Sequence, residues 1–166
     1  MNLEKSHLRE TVQAKLATLS SVQLTQKSYL LSSRLLNYLV QNKMQRKIIG
    51  AYNPLKFEPQ WGVHFPYEMK IAFPIVDNDK MDYFYNGIAE EEPIVPDVLL
   101  IPGLAFSSKG ERLGRGKGFF DRYLENNQQA LKIGLCFEEQ MASFIPREAW
   151  DKNMDLIITE KEIYQG

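Results

Sequence analysis

Apolar residues recur at near-helical intervals over the first forty positions. Leu3, Leu8, Val12, Leu16 and Leu19 alternate with Lys, Arg and Glu, a stripe that predicts a helix over 3–19. Ser20-Ser21 breaks it. Ser21 is placed to cap a second helix over about 22–42, where Leu24, Tyr29, Leu30, Leu35, Leu36 and Leu39 would cover a sheet face. The pattern then shortens. Lys47–Tyr52 reads as a strand ending at Asn53-Pro54, and 54–68, rich in Pro and aromatics, reads as a loop with room for a short helix. Lys70–Pro74 is a short strand, and the alternation of Met81–Tyr85 suits an antiparallel one. Glu90-Glu91-Glu92-Pro93 reads as a solvated loop and Val98–Ile101 as a buried strand. A helix over 119–129, a strand over 132–137, a short helix over 138–144 and a last strand at Leu156–Thr159 complete the chain.

Strands alternating with helices imply an α/β domain with a largely parallel sheet. Ligands bind such sheets beyond the carboxyl ends of the strands. Asn53 and Glu58 follow the strand at 48–52, and a glycine loop follows the strand at 98–101, so both segments are expected to meet at one sheet edge. At 166 residues the chain suits a single domain over 1–166 with a real core. No internal repeat, low-complexity tract or linker interrupts it.

Charge and cysteine content narrow the function classes. The net charge of −1 argues against a surface adapted as a whole to nucleic acid. The single cysteine, Cys136, excludes an internal disulfide and a multi-cysteine metal site, and within an apolar strand it reads as a buried inert thiol. There is no apolar run near 18 residues and no signal-peptide pattern. A soluble, cytoplasmic monomer without membrane or nucleic-acid partners is expected.

The densest chemistry lies in Arg112-Leu113-Gly114-Arg115-Gly116-Lys117-Gly118-Phe119-Phe120-Asp121-Arg122. Glycine lets backbone N–H groups turn toward a ligand. The helix start after Gly118 adds unpaired N–H groups and a positive dipole end, and the cations complete a cradle for a polyphosphate. The pattern is neither a P-loop, since no Gly-Lys-Ser/Thr closes it, nor a dinucleotide fingerprint, since the glycine spacing differs.

Other positions stay ambiguous on residues alone. Asp121, in the first turn of that helix, suits a magnesium ion beside phosphate or a simple dipole-stabilising acid. Asp151 and Asp155 could supply a second carboxylate or serve in turns. Lys5 and Arg9 stand one helical turn apart and could reach one phosphate chain, although a charged helix face is usually just solvated. His7 and His64, the only histidines, share no metal-ligand spacing. Glu58 sits among Phe57, Trp61 and Phe65, which could bind a flat heterocycle bearing N–H donors or merely close the core.

The chain resembles the 5-formyltetrahydrofolate cyclo-ligase family over nearly its whole length. The resemblance rests chiefly on Asp97-Val-Leu-Leu-Ile-Pro-Gly-Leu-Ala-Phe106 and Gly110-Glu-Arg-Leu-Gly-Arg-Gly-Lys-Gly-Phe-Phe-Asp-Arg122. Lys5-Ser-His-Leu-Arg9, Tyr52-Asn53-Pro54 with Glu58, Gln140 with Ile145-Pro146, Asp151, and Asp155-Leu-Ile-Ile-Thr-Glu160 support it. It implies a three-layer α/β/α sandwich and an ATP- and magnesium-dependent closure of 5-formyltetrahydrofolate to the 5,10-methenyl form. It further implies ATP contacts from Lys5, Arg9 and the loop Arg112, Leu113, Gly114, Arg115, Gly116, Lys117, Gly118, Phe119 and Phe120. Folate contacts would come from Asn53, Glu58 and residues 115–119, magnesium ligation from Asp121 and Asp151, and charge stabilisation in catalysis from Arg115 and Lys117. The chain departs from the family at Phe119 and Phe120, where tyrosines are usual, at Ser107, where Asp or Asn is common, and at Pro59-Gln60-Trp61, where Val/Ile-Asp-Thr is usual. Outside the resemblance, the loop alone would also suit an isomerase or transferase holding a sugar phosphate or coenzyme A phosphate, or a non-enzymatic folate or RNA module.

Overall fold

The computed structural model describes residues 2–89 and 92–166. Glu90 and Glu91 of the expected acidic loop lie outside them. Two long helices come first, α1 at Leu3–Ala17 and α2 at Ser21–Gln41. Strands β1 (Ile48–Gly50), β2 (Lys70–Asp77), β3 (Lys80–Tyr85) and β4 (Val98–Ile101) follow. A small ribbon, β5 (Ala105–Phe106) and β6 (Arg112–Leu113), leads into α3 at Phe119–Asn126. Strands β7 (Leu131–Leu135), β8 (Leu156–Ile158) and β9 (Ile163–Gln165) end the chain.

Among the described residues the main sheet has the order β3-β2-β1-β4-β7-β8-β9. β2, β1, β4, β7 and β8 pair in parallel, and the edge strands β3 and β9 are antiparallel to their neighbours. Alternate residues of β4 feed opposite faces. Val98 and Leu100 pack with Leu31, Leu35 and Leu39 of α2. Leu99 and Ile101 pack with Tyr123 and Leu124 of α3. The sheet therefore lies between two helical layers, as the expected sandwich requires. α1 joins neither face. Its Val12 and Leu16 form a third cluster with Ala105, Leu113, Phe137 and Ile145, beside the small ribbon.

Several boundaries differ from the sequence reading, each for a local reason. Ser20 caps α2, because its extended backbone lets its hydroxyl accept from Gln23 N while the Gln23 side chain accepts from Ser20 N. β2 runs on to Asp77 and turns at Asn78 and Asp79, which adopt φ of 45° and 66°. α3 stops at Asn126, and Asn127 folds back so that its side-chain amide donates to Tyr123 O. The expected helix over 138–144 is one 3-10 turn at Glu138–Gln140. Met141 returns to extended backbone and bridges to Phe106. The segment at 156–158 is not the last strand, since Thr159 Oγ1 accepts from Lys161 N and Glu162 N and turns the chain back into β9. The β5–β6 ribbon, two residues a side, was too short to show as a period. It is pinned by Phe106, since a Cβ on Gly103 or Gly134 would lie 2.8 or 2.6 Å from its ring. Cys136 is buried just past β7, and burial pushes its thiol well above the usual range, as an inert thiol requires.

Lys27 of α2 ties that helix to the segments that follow β8 and β7, through Glu160 at 2.7 Å and Glu139 at 2.8 Å. Burial alone would raise the Glu139 carboxyl, but hydrogen bonding and charge, chiefly from Lys27, outweigh it and hold it below its usual range. A depressed carboxylate stabilises the fold above its unfolded-state pKa and ceases to as pH falls through the folded value. Glu139→Gln is therefore expected to cost about 0.5–1 kcal/mol at pH 7, and little at pH 3. Urea unfolding of both proteins at the two pH values checks this. An unchanged difference at pH 3 would show that the carboxylate charge is not the cause.

Candidate functional site

The turn from β6 into α3 has no side-chain cap. Gly116 and Gly118 adopt φ of 102° and 70°, a region costly for other residues, and Gly118 is the helix N-cap without a capping side chain. The first-turn N–H groups of α3 are thus left for a ligand. These residues line a cavity of about 530 Å³, together with Lys5 and Arg9 of α1, Glu58, and Asp151. Residues far apart in sequence meet there. Arg9 Nε donates to Gly114 O at 3.2 Å, fastening α1 to the glycine loop.

Most of the cations already have partners. Lys5 is buried and lies 2.7 Å from Asp151 Oδ2 and 2.9 Å from Glu148 Oε2. Burial alone would lower the Lys5 ammonium, but the hydrogen bonds and charges of Asp151 and Glu148 outweigh it and hold it above its usual range. The Arg112 side chain is buried beneath the loop and donates to Pro102 O at 3.0 Å and Asp121 Oδ2 at 3.3 Å. Burial pulls its guanidinium below the usual range, and Asp121 opposes that shift. Arg112 thus shapes the floor and holds a carboxylate. Arg115 donates from Nε and Nη2 to Glu58 Oε1 at 3.1 and 3.0 Å. Lys117 is exposed at the cavity mouth, and its ammonium makes no ion pair among the described residues.

Asp121 and Asp151, two of the carboxylates lining this cavity, come from different segments. Asp121 Oδ1 also accepts from Lys152 N at 3.3 Å, and Asp151 Oδ2 accepts from Glu148 N at 2.8 Å. Asp151 Oδ1 accepts no hydrogen bond among the described residues. The described residues contain no group of three or more His, Cys, Asp or Glu able to hold a metal. Magnesium is commonly held by one or two carboxylates plus phosphates and water. The donor set therefore fits an ion that arrives with a polyphosphate better than a resident one.

Glu58 is 5% exposed and is fixed from behind. Its Oε2 accepts from Leu55 N, Tyr52 OH donates to Pro59 O, and Trp61 Nε1 donates to Tyr52 O. Two serines of α2 hold the same loop: Ser28 Oγ accepts from Gln60 N, and Ser32 Oγ donates to Trp61 O. Trp61 is buried against Phe65 and Phe73, so it closes the core. Asn53 is exposed and is not among the residues that line the cavity.

Phe119 and Phe120 both line the cavity and carry arginines on their faces. Arg122 lies 5.2 Å from the Phe119 ring centre and Arg112 lies 5.5 Å from that of Phe120. Ser107 is buried; its hydroxyl donates to Glu111 and accepts from Lys109 N and Glu111 N, the turn-forming part that Asp or Asn can play. Sequence reasoning missed Glu148, Glu125 and Trp150 in the lining. Trp150, 61% exposed, offers a flat face to an aromatic ligand. Its position just before Asp151 was the available signal.

The profile of the 5-formyltetrahydrofolate cyclo-ligase family matches residues 84–160. The 5-formyltetrahydrofolate cyclo-ligase of Mycoplasma genitalium is 31% identical over 163 residues, an alignment covering 94% of this chain and 98% of that protein. The 5,10-methenyltetrahydrofolate synthetase of Mycoplasma pneumoniae superposes with a TM-score of 0.81 at 28% identity, over 96% of this chain and 99% of that one. That of Aquifex aeolicus gives 0.82 at 28% identity, over 97% and 92%.

Proposed function

Given that the chain belongs to the 5-formyltetrahydrofolate cyclo-ligase family, we propose that it converts 5-formyltetrahydrofolate to 5,10-methenyltetrahydrofolate with ATP and magnesium, releasing ADP and phosphate, as one unit over residues 1–166. One observation carries this reading. A glycine cradle at an uncapped helix start, two carboxylates and the buried Glu58 all line one cavity.

The formyl group on the folate 5-nitrogen is an amide and a poor electrophile. In this reaction its oxygen attacks the γ-phosphorus of ATP and ADP departs. The 10-nitrogen then attacks the activated formyl carbon and loses its proton. Phosphate leaves with the former formyl oxygen as the five-membered ring closes. No covalent nucleophile is needed from the protein; positioning, charge neutralisation and exclusion of water are. The N–H groups of residues 116–120 cradle the phosphates, with Lys5 and Arg9 on the α1 side. Lys117 and Arg115 offset charge on the transferring phosphoryl group. Asp121 and Asp151 would hold magnesium, whose charge complements the phosphate oxygens. Glu58 accepts from the N–H donors of the pterin, and Phe119 packs against the ligand.

ADP and phosphate are expected in step with the methenyl product, and neither without magnesium. Absorbance of the methenyl product, followed beside phosphate release, checks this. Product formed without nucleotide would sink the ligase reading.

A further inference from the structure

Glu58 and Arg115 face opposite demands in that reaction, on which this inference rests. Glu58 must accept donors from the pterin, yet its Oε1 already accepts both Nε–H and Nη2–H of Arg115. Arg115 must reach the phosphoryl group, yet its guanidinium is turned to Glu58, held there through Nε and Nη2. The two ends of this pair are not equally free. The Glu58 side chain is 5% exposed and its other oxygen is fixed by Leu55 N, whereas the Arg115 side chain is 41% exposed on a loop between two positive-φ glycine positions and β6. Glu58 cannot follow Arg115 away from the loop that Tyr52, Ser28 and Ser32 hold. Left without a donor, a buried carboxylate oxygen is strongly penalised. Arg115 is therefore retained until another donor pair replaces it.

We propose that the Glu58–Arg115 pair is an exchangeable gate that couples the two substrates. A 2-amino-4-oxo-pyrimidine ring offers two N–H groups across an N–C–N edge, the same fork that Arg115 now presents to Glu58. Folate binding substitutes that fork for the guanidinium, and Arg115 is released into the shared cavity toward the phosphates. Arg115 is then a phosphate ligand only when folate is present. Glu58 acts on the nucleotide side as a positioning residue, through Arg115. Linkage requires the effect to be reciprocal: each substrate tightens the other by one factor.

Calorimetric titration with a magnesium complex of a non-hydrolysable ATP analogue, with and without saturating 5-formyltetrahydrofolate, tests the gate. The wild-type Kd for the analogue is expected to fall at least fivefold when folate is bound. In Glu58→Gln the analogue should bind at least fivefold tighter than in wild type without folate, and folate should add less than twofold. In Arg115→Gln the analogue should bind no tighter than in folate-free wild type, again with less than a twofold gain from folate. Both variants disturb the buried end of the pair, so the wild-type comparison decides the matter even if neither of them folds. If wild type binds both ligands but independently, or if folded Glu58→Gln binds the analogue no tighter than wild type, the gate is overturned while the ligase reading stands. If wild type binds neither ligand, the ligase reading fails and the gate falls with it.

Discussion

Lys117→Ala is expected to lower kcat by about 100-fold or more, the scale of losing one preorganised charge aimed at a developing transition-state charge. Stability should stay within about 0.5 kcal/mol, as for other exposed substitutions. The reason is the contrast between Lys117 and its neighbours. Lys5, Arg112 and Arg115 are each held by a carboxylate, whereas the Lys117 ammonium is exposed at the cavity mouth with no ion pair among the described residues. Arg115→Ala would not give so clean a result, because it also strips the buried Glu58 of its partner. Of the two loop cations, only Lys117 is therefore expected to be dispensable to stability. Steady-state kinetics and a melting curve on one Lys117→Ala preparation check this. Turnover within about threefold of wild type would remove Lys117 from the transition state.

Asp121→Asn carries the second large effect, on two axes at once. As a magnesium ligand, Asp121 should set the ion concentration needed for half-maximal rate, which the substitution should raise about tenfold or more, since it replaces a charged donor with a neutral one. As the counter-charge of the buried Arg112, it should also contribute to stability. Losing a hydrogen bond to a charged group costs about 1.5–3 kcal/mol, more than the roughly 0.3–1 kcal/mol of a dipole-stabilising acid alone. The position in sequence allowed only the metal and dipole roles. The Arg112 contact at 3.3 Å supplies a third. Magnesium titration of the rate and a denaturant curve separate the three. A destabilised variant with unchanged magnesium dependence would leave Asp121 a structural anion only.

The glycine loop was legible because its signal is local: alternate glycines, interleaved cations and an acid one turn into a helix all lie within Arg112–Arg122. The buried strand at 98–101 was legible for the same reason, as an unbroken apolar run. What remained hidden depends on pairs that no window spans. Nothing near Arg115 announces Glu58, nor does anything near Lys5 announce Glu148. Ser28 and Ser32 read as polar interruptions of an apolar helix face until the loop that they hold lies against them. β9 was lost because three residues show no alternation, and Thr159 gave no Gly or Pro to mark its turn. The aromatics around Glu58 were ambiguous in sequence, and burial assigns Trp61 to the core, while Trp150, unremarked, stands at the cavity.

The close pairing of charges around the cavity also governs how ligands arrive. Among the described residues its lining holds six cations and five carboxylates, so a single net positive charge remains. A field so nearly cancelled draws in a polyanion only weakly from a distance, and added salt has little attraction to screen. Under the proposed function, capture of nucleotide is then a matter of ordinary diffusive encounter at a rate shared with many other anions. Discrimination falls to residence time: beyond the uncapped N–H groups of α3 and Lys117, an anion gains only the contacts that it takes over from pairs the protein already makes with itself.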